Sequence, residues 1–312
     1  MPSIIDISQL SVHFPLDTTT VRAVDGVDLS VEEHETLAII GESGSGKSVL
    51  GLAMLGMLPP TSTVSGKVIY EGSDLISLSE KELEGIRGIR IAWIPQNPAN
   101  ALNPTMRVGD QIGEPITRHS EWTKERVHTK VLELLLKFRV LPPEERSASY
   151  PHSFSGGMLQ RSLVAMGVSA RPELIIADEP TKGIDVINKE SVASVFKEVR
   201  NQGHTLVIIT HDLAFAKDLA DRIIVMYNGR IIEIGEPEVF FSHPRHPYST
   251  MLLRSLPEKG LHPIPGRTEE SMGCTSGCRF RLRCPDARDR CADEPPLISC
   301  GDRTAVRCWN YD

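Results

Sequence analysis

The chain has 312 residues, 24% of them charged and 40% hydrophobic, with a formal net charge of −7. That balance predicts a globular chain with one large domain and an appendage, and it argues against nucleic acid as a partner, because phosphate-binding surfaces carry an excess of Lys and Arg. The opening "MPSIIDISQL" lacks the basic start, apolar run and cleavage site of a signal peptide, and runs such as "LAII" and "LVII" fall far short of the roughly 20 apolar residues that cross a bilayer, so a cytosolic chain able to dock on a membrane protein is expected.

In chain order, "ETLAII" (35–40) is the first short, almost wholly apolar run. It leads directly into "GESGSGKS" (41–48), which fits G-x-x-x-x-G-K-[ST], and then into a predicted helix, "VLGLAMLGML". Strand, loop and helix in that order are the setting of a phosphate-binding loop. Its glycines let backbone N–H groups turn inward around a phosphate, and a helix N-terminus adds partial positive charge. Gly41, Glu42, Ser43, Gly44, Ser45, Gly46, Lys47, Ser48 and Val49 are therefore candidate contacts to ATP, with Lys47 on the β- and γ-phosphates and Ser48 on Mg²⁺.

Farther on, "KERVHTKVLELLLKF" (124–138) places Val127, Val131, Leu134, Leu135 and Phe138 at helical spacing, and "ESVASVFKEV" (190–199) does the same with Val192, Val195, Phe196 and Val199. "ELIIAD" (173–178), "HTLVIIT" (204–210) and "RIIVMY" (222–227) read as strands buried on both faces of a parallel sheet. The alternation predicts an α/β core with helices on both sides. "LIIADEP" delivers two adjacent acids at a strand's C-terminal end, where ligands of open α/β sheets gather. Asp178 suits the shell of Mg²⁺ and Glu179 the polarisation of an attacking water. Asn-Gly in "MYNGRIIEIG" predicts a two-residue hairpin. Past Gly235 the chain becomes rich in Pro and His, with a short helical piece around Tyr248–Leu256 and then the cysteines.

Three further stretches give the chain a family resemblance. "SFSGGMLQR" (153–161) resembles the signature sequence of ABC-type ATPases, "WIPQNP" (93–98) their glutamine loop, and "IITHDL" (208–213) their switch-histidine strand. With the phosphate loop and the acidic strand, five elements stand in family order across residues 1–235. The resemblance implies a P-loop ABC-type nucleotide-binding domain over 1–235, with a helical signature subdomain over about 97–170. It further implies catalytic roles for Glu179, His211 and Gln96, with Gln96 also reaching Mg²⁺. In the family two such domains pair head to tail, so Ser155, Gly156 and Gly157 would cradle the γ-phosphate bound to the partner, and Asp185, the aspartate kept after the acidic strand, is a further candidate contact to ATP. Phe14 is the candidate for stacking on adenine. Two departures stand out: "TKGIDV" places Lys182 and Gly183 where the family often has a small residue, and His34 replaces a glycine in "EEHETLAII", a change expected to be structural only.

"QNPANALNPTMRVGDQI" (96–112) and "HPRHPYSTMLLRSLP" (243–257) resemble the oligopeptide, dipeptide and nickel importer branch. That branch implies an extension over 236–312, a second and non-identical ATPase subunit, two transmembrane permease subunits, an extracytoplasmic solute-binding protein, and a place on the cytoplasmic face of the membrane. Peptide is the default cargo; nickel chelates, sugars and other solutes stay open. A soluble ABC ATPase working on nucleic acid or ribosomes is the rival reading, set against one motif set and an acidic balance. An iron–sulfur redox enzyme that also binds ATP is another, but no motif for its substrate is present.

All six cysteines lie between 274 and 308. Cytosolic clusters of this kind read as metal ligands rather than disulfides. Cys278, Cys284, Cys291 and Cys308 stand at C-x5-C-x6-C-x16-C, which is not the C-x2-C pairing of common zinc modules. The importer branch implies a [4Fe–4S] cluster on these four, with Cys274 and Cys300 extra; zinc, disulfides and free thiols remain alternatives. Seven arginines in the segment (279, 281, 283, 288, 290, 303 and 307) are expected to offset an anionic cluster. The segment is short and poor in apolar residues, so a metal is expected to supply much of its folding energy.

Overall fold

Runs that are almost wholly apolar must be covered on both faces, and the four found in the sequence become strands buried along nearly their whole length. A computed structural model describes residues 2–17, 19–184, 186–266, 276–301 and 303–312. Its strands are, in chain order, β1 (Ser3–Pro15), β2 (Thr20–Glu32), β3 (Thr36–Ile40), β4 (Thr63–Tyr70), β5 (Ser73–Asp74), β6 (Ile91–Ile94), β7 (Leu174–Asp178), β8 (Thr205–Thr210), β9 (Arg222–Tyr227), β10 (Arg230–Gly235), β11 (Ile298–Ser299) and β12 (Ala305–Val306). Two compact units result: Met1–Glu32 with Leu37–Ser77 and His211–Asp312, and Glu33–Thr36 with Leu78–Thr210.

In the first unit, β2, β1, β4 and β5 form an antiparallel sheet in that order. Beside it runs the order β11-β12-β10-β9-β3. β3 and β9 are parallel, with Leu37 opposite Arg222. β9 and β10 form the expected hairpin: Asn228 and Gly229 both take positive φ, 44° and 77°, as a type I′ turn requires. The segment after Gly235 shares this unit's core. Tyr248, Leu253 and Phe280 pack with Ala38, Ile40, Val225 and Tyr227, and Cys278 and Cys284 lie against the same cluster. β12 adds to β10 with Val306 opposite Glu233. Apolar burial and sheet pairing thus help fold a tail whose composition had pointed mainly to a metal.

In the second unit, β6, β7 and β8 are parallel, Leu174 standing opposite both Ile91 and Thr205. The helix patterns bury as spaced. In Lys124–Lys137 the core face holds Val131, Leu134 and Leu135, closed off by Phe138 at the C-cap. In Val186–Asn201 it holds Val192, Val195, Phe196 and Val199. The helix Gly156–Val168 lies close on β6, because Gly167 carries no Cβ to strike Ile94 Cγ1, which is 2.8 Å from where that atom would be. No helix among the described residues is long and apolar enough to cross a membrane.

His34 explains its own departure from glycine. It sits at φ 62°, a left-handed conformation that glycine adopts without strain. Its N–H donates to Thr205 Oγ1 at 2.9 Å, and its ring Nδ1 is 2.6 Å from the Gly203 carbonyl. His34→Gly relieves the backbone and loses the ring contact, so the net change in unfolding free energy is expected to stay within about 1 kcal/mol. Urea unfolding checks this; a loss well beyond that size would make the imidazole a principal anchor of the loop.

Candidate functional site

In the first unit, β3 runs straight into the phosphate loop, and the helix Lys47–Ala53 follows. Gly41, Gly44 and Gly46 all take positive φ. Gly46, the helix N-cap at φ 101°, is there because a Cβ would fall 1.9 Å from the Ala23 carbonyl oxygen. The Lys47 ammonium is buried at the centre of the loop, donating to Gly41 O at 2.8 Å and Glu42 O at 2.9 Å, with Ser45 Oγ at 3.4 Å. Ser43, Gly44 and Ser48 are exposed, and Val49 is half-buried. Phe14 is half-buried near the end of β1, opposite Val21 on β2. His211 is exposed directly after β8, and Asp212 caps the helix Leu213–Leu219 by accepting from Phe215 N at 3.1 Å.

In the second unit, Asp178 ends β7 and is only 6% exposed. Glu179 follows it, half-buried, at φ 48°, with its N–H donating to Ile209 O at 2.7 Å. Gln96 is half-buried two residues beyond β6. Ser155 caps the helix Gly156–Val168, its hydroxyl accepting from Met158 N at 3.3 Å. Gly156 is exposed, and a Cβ there would meet nothing within 4 Å. Packing within this chain therefore does not require glycine at 156, whereas Gly157 is buried. Asp185 lies outside the described residues.

In the tail, Cys278, Cys284, Cys291 and Cys308 line one cavity together with His246, Asp286 and Trp309. Burial, then the charge the neighbouring thiols would carry, pushes Cys278 up to about 12; burial, then the Asp286 carboxylate, pushes Cys284 up to about 11; burial raises Cys308 as well. None of the four forms a disulfide among the described residues. Among the described residues, no group of three or more His, Cys, Asp or Glu is arranged to hold a metal ion. Cys300 does not line this cavity; its thiol is 3.6 Å from the Ile298 carbonyl. Cys274 lies outside the described residues.

The arginines differ from expectation. Most pair with carboxylates rather than facing the thiols: Arg279 with Asp25, Arg283 with Glu42, Arg290 with Asp312, Arg303 with Glu32 and Arg307 with Glu294. Arg281 donates to the Ala292 carbonyl, and it is the Arg288 charge that bears on the Cys308 thiol. For Arg279 the physical reason is Asp25: only 8% exposed, it needs compensation, and Arg22, Arg230 and Arg279 supply it. Two residues that sequence reasoning missed, Tyr248 and Arg283, reach Glu42 in the phosphate loop. No spacing rule links residues that far apart.

A glycine loop centred on a buried lysine after a parallel strand, together with an acid pair closing another, defines a P-loop nucleotide-binding protein. The ABC transporter family model matches residues 24–182, and the model for the C-terminal region of oligopeptide/dipeptide transporters matches 232–291. The chain belongs to the ABC transporter family. It is 40% identical over 321 residues to the dipeptide transport ATP-binding protein DppD of Bacillus subtilis, covering 100% of this chain and 96% of that one. It is likewise 40% identical to DppD of Escherichia coli, covering 98% and 96%. Among solved structures, the ATP-binding cassette MJ0796, in a dimeric post-hydrolysis state bound to ADP and Pi, is 26% identical with a TM-score of 0.68, covering 75% of this chain and 98% of that one.

Proposed function

We propose that this chain is the ATP-hydrolysing subunit of a peptide importer. It works at the cytoplasmic face of the membrane against two permease subunits, beside a second, non-identical ATP-binding subunit, with an extracytoplasmic solute-binding protein delivering the cargo. The observation that carries this reading is that similarity to dipeptide transport ATP-binding proteins runs through the cassette and on through the tail. The cassette takes 1–235, with a helical subdomain over about 97–170, and the extension takes 236–312.

Lys47 and the loop N–H groups hold the β- and γ-phosphates. Ser48, Asp178 and Gln96 offer the oxygen donors that suit Mg²⁺. Glu179 polarises the attacking water, and His211 holds the γ-phosphate region. Phe14 stacks on adenine. Ser155, Gly156 and Gly157, with Asp185, serve the nucleotide of the paired subunit; the open space at Gly156 supports close approach of a phosphate from outside the chain. Closure on ATP pulls on the permease near Gln96, and hydrolysis releases it. The test is reconstitution of the complex in vesicles. ATP hydrolysis stimulated by the binding protein loaded with di- or oligopeptide is expected; stimulation by a nickel chelate or a sugar alone, or by nucleic acid or ribosomes, overturns the reading.

The four thiols of the tail supply the donor set of a [4Fe–4S] cluster. Burial raises the proton affinity of Cys278, Cys284 and Cys308, so their thiolate forms would need positive charge beside them. When bound, such a cluster cross-links four points of the tail. Protein purified without oxygen is expected to be brown, with about four irons per chain and broad visible absorbance that fades with chelator in air. A colourless protein holding stoichiometric zinc overturns the assignment.

A further inference from the structure

The phosphate loop is gripped from the far end of the chain. Glu42, its second residue, donates its backbone N–H to the Tyr248 hydroxyl at 3.0 Å. Its carboxylate meets the Arg283 guanidinium as a fork, Nη1 to Oε2 at 3.0 Å and Nη2 to Oε1 at 3.3 Å. The carbonyl of the same residue accepts from the Lys47 ammonium at 2.9 Å. One residue therefore has its N–H and side chain fixed by the tail while its carbonyl helps aim the lysine.

These anchors are themselves immobilised. The Arg283 side chain is 4% exposed. Its Nε donates to Pro265 O at 2.7 Å and its Nη1 also to the Tyr227 hydroxyl at 3.1 Å. Tyr227, Tyr248 and Phe280 pack ring against ring, with centroids 4.7 to 5.4 Å apart. A forked guanidinium removed from water, with its donors shared among fixed acceptors, holds its partner to one geometry. Both anchors also spring from the walls of the thiol cavity. Tyr248 follows His246 and Pro247, which line it, and Arg283 precedes Cys284, which does too.

We propose that Tyr248 and Arg283 are positioning residues of the nucleotide site, acting through Glu42 to hold the carbonyl that orients the Lys47 ammonium. The tail is thereby part of the ATP-binding apparatus. This rests on the reading of Lys47 as the phosphate-binding lysine.

The test uses the full-length chain in its assembled complex, with KM for ATP, kcat and melting temperature measured for each variant. Tyr248→Phe keeps the ring and loses only the hydroxyl, and is expected to raise KM about five-fold. Arg283→Met is expected to raise it about ten- to thirty-fold, with Arg283→Lys recovering part of the loss. In both cases kcat at saturating ATP stays within about two-fold. In a Glu42→Gln background, Arg283→Met is expected to add less than about two-fold, because its route of action is already cut. Lys47→Ala separates the two readings. If Lys47→Ala leaves KM unchanged, the phosphate-loop reading fails. If it abolishes binding while Tyr248→Phe and Arg283→Met leave KM within two-fold, or lower only the melting temperature and active fraction, the positioning role fails on its own.

Discussion

Glu179→Gln is expected to lower the ATP turnover number by about 10²- to 10⁴-fold while leaving ATP affinity unchanged. Gln matches the volume of Glu but cannot accept a proton from water. The backbone makes the substitution a clean one. Glu179 occupies a left-handed φ of 48°, and its N–H is tied to Ile209 O at 2.7 Å, continuing the ladder between β7 and β8 beyond the end of β7. That constraint fixes where the side chain starts, whichever terminal group it carries. Phosphate release measures the turnover and nucleotide titration the affinity. A variant hydrolysing within a few-fold of wild type removes Glu179 from the chemistry.

Gly46→Ala is expected to abolish ATP binding and to cost roughly 2–4 kcal/mol of stability. Two penalties coincide at this position. The φ of 101° lies where side chains are strained, and the added methyl would meet the Ala23 oxygen at 1.9 Å, a backbone atom that cannot turn aside. The loop also has little freedom to retreat. Gly229 N donates to Ser45 O at 3.0 Å, and Asp25 N to Gly229 O at 2.9 Å, so loop, hairpin and β2 would have to move together. Thermal melting and nucleotide titration of the same preparation check both halves. A stable variant that still binds ATP shows that the loop can reshape around a Cβ.

The features legible in the sequence are those whose cause is local. Almost wholly apolar runs became buried strands because they have no polar face to turn to water. Asn228-Gly229 became a tight turn because both residues tolerate positive φ. The phosphate loop was readable because the glycine backbone and the lysine and serine side chains act together within eight residues. The uses of the tail were hidden for the opposite reason. Arg283 and Glu42 are 241 positions apart, and only the folded chain chooses between a thiol and a carboxylate as the arginine's partner. Counting charges in the segment pointed to the thiols, while the buried Asp25 and the half-buried Glu42 took Arg279 and Arg283. His34 falls between these cases: its departure from glycine was visible, but the Gly203 and Thr205 contacts that support it were not.

The 241 positions between Glu42 and Arg283 are also an interval in time. A ribosome adding about 5–20 residues per second makes the glycine loop some 12 to 50 seconds before the guanidinium that grips it. The nucleotide cradle is thus synthesised well before the two side chains that hold it. A nascent chain that has not yet reached Tyr248 and Arg283 carries the loop without the side chains that hold Glu42.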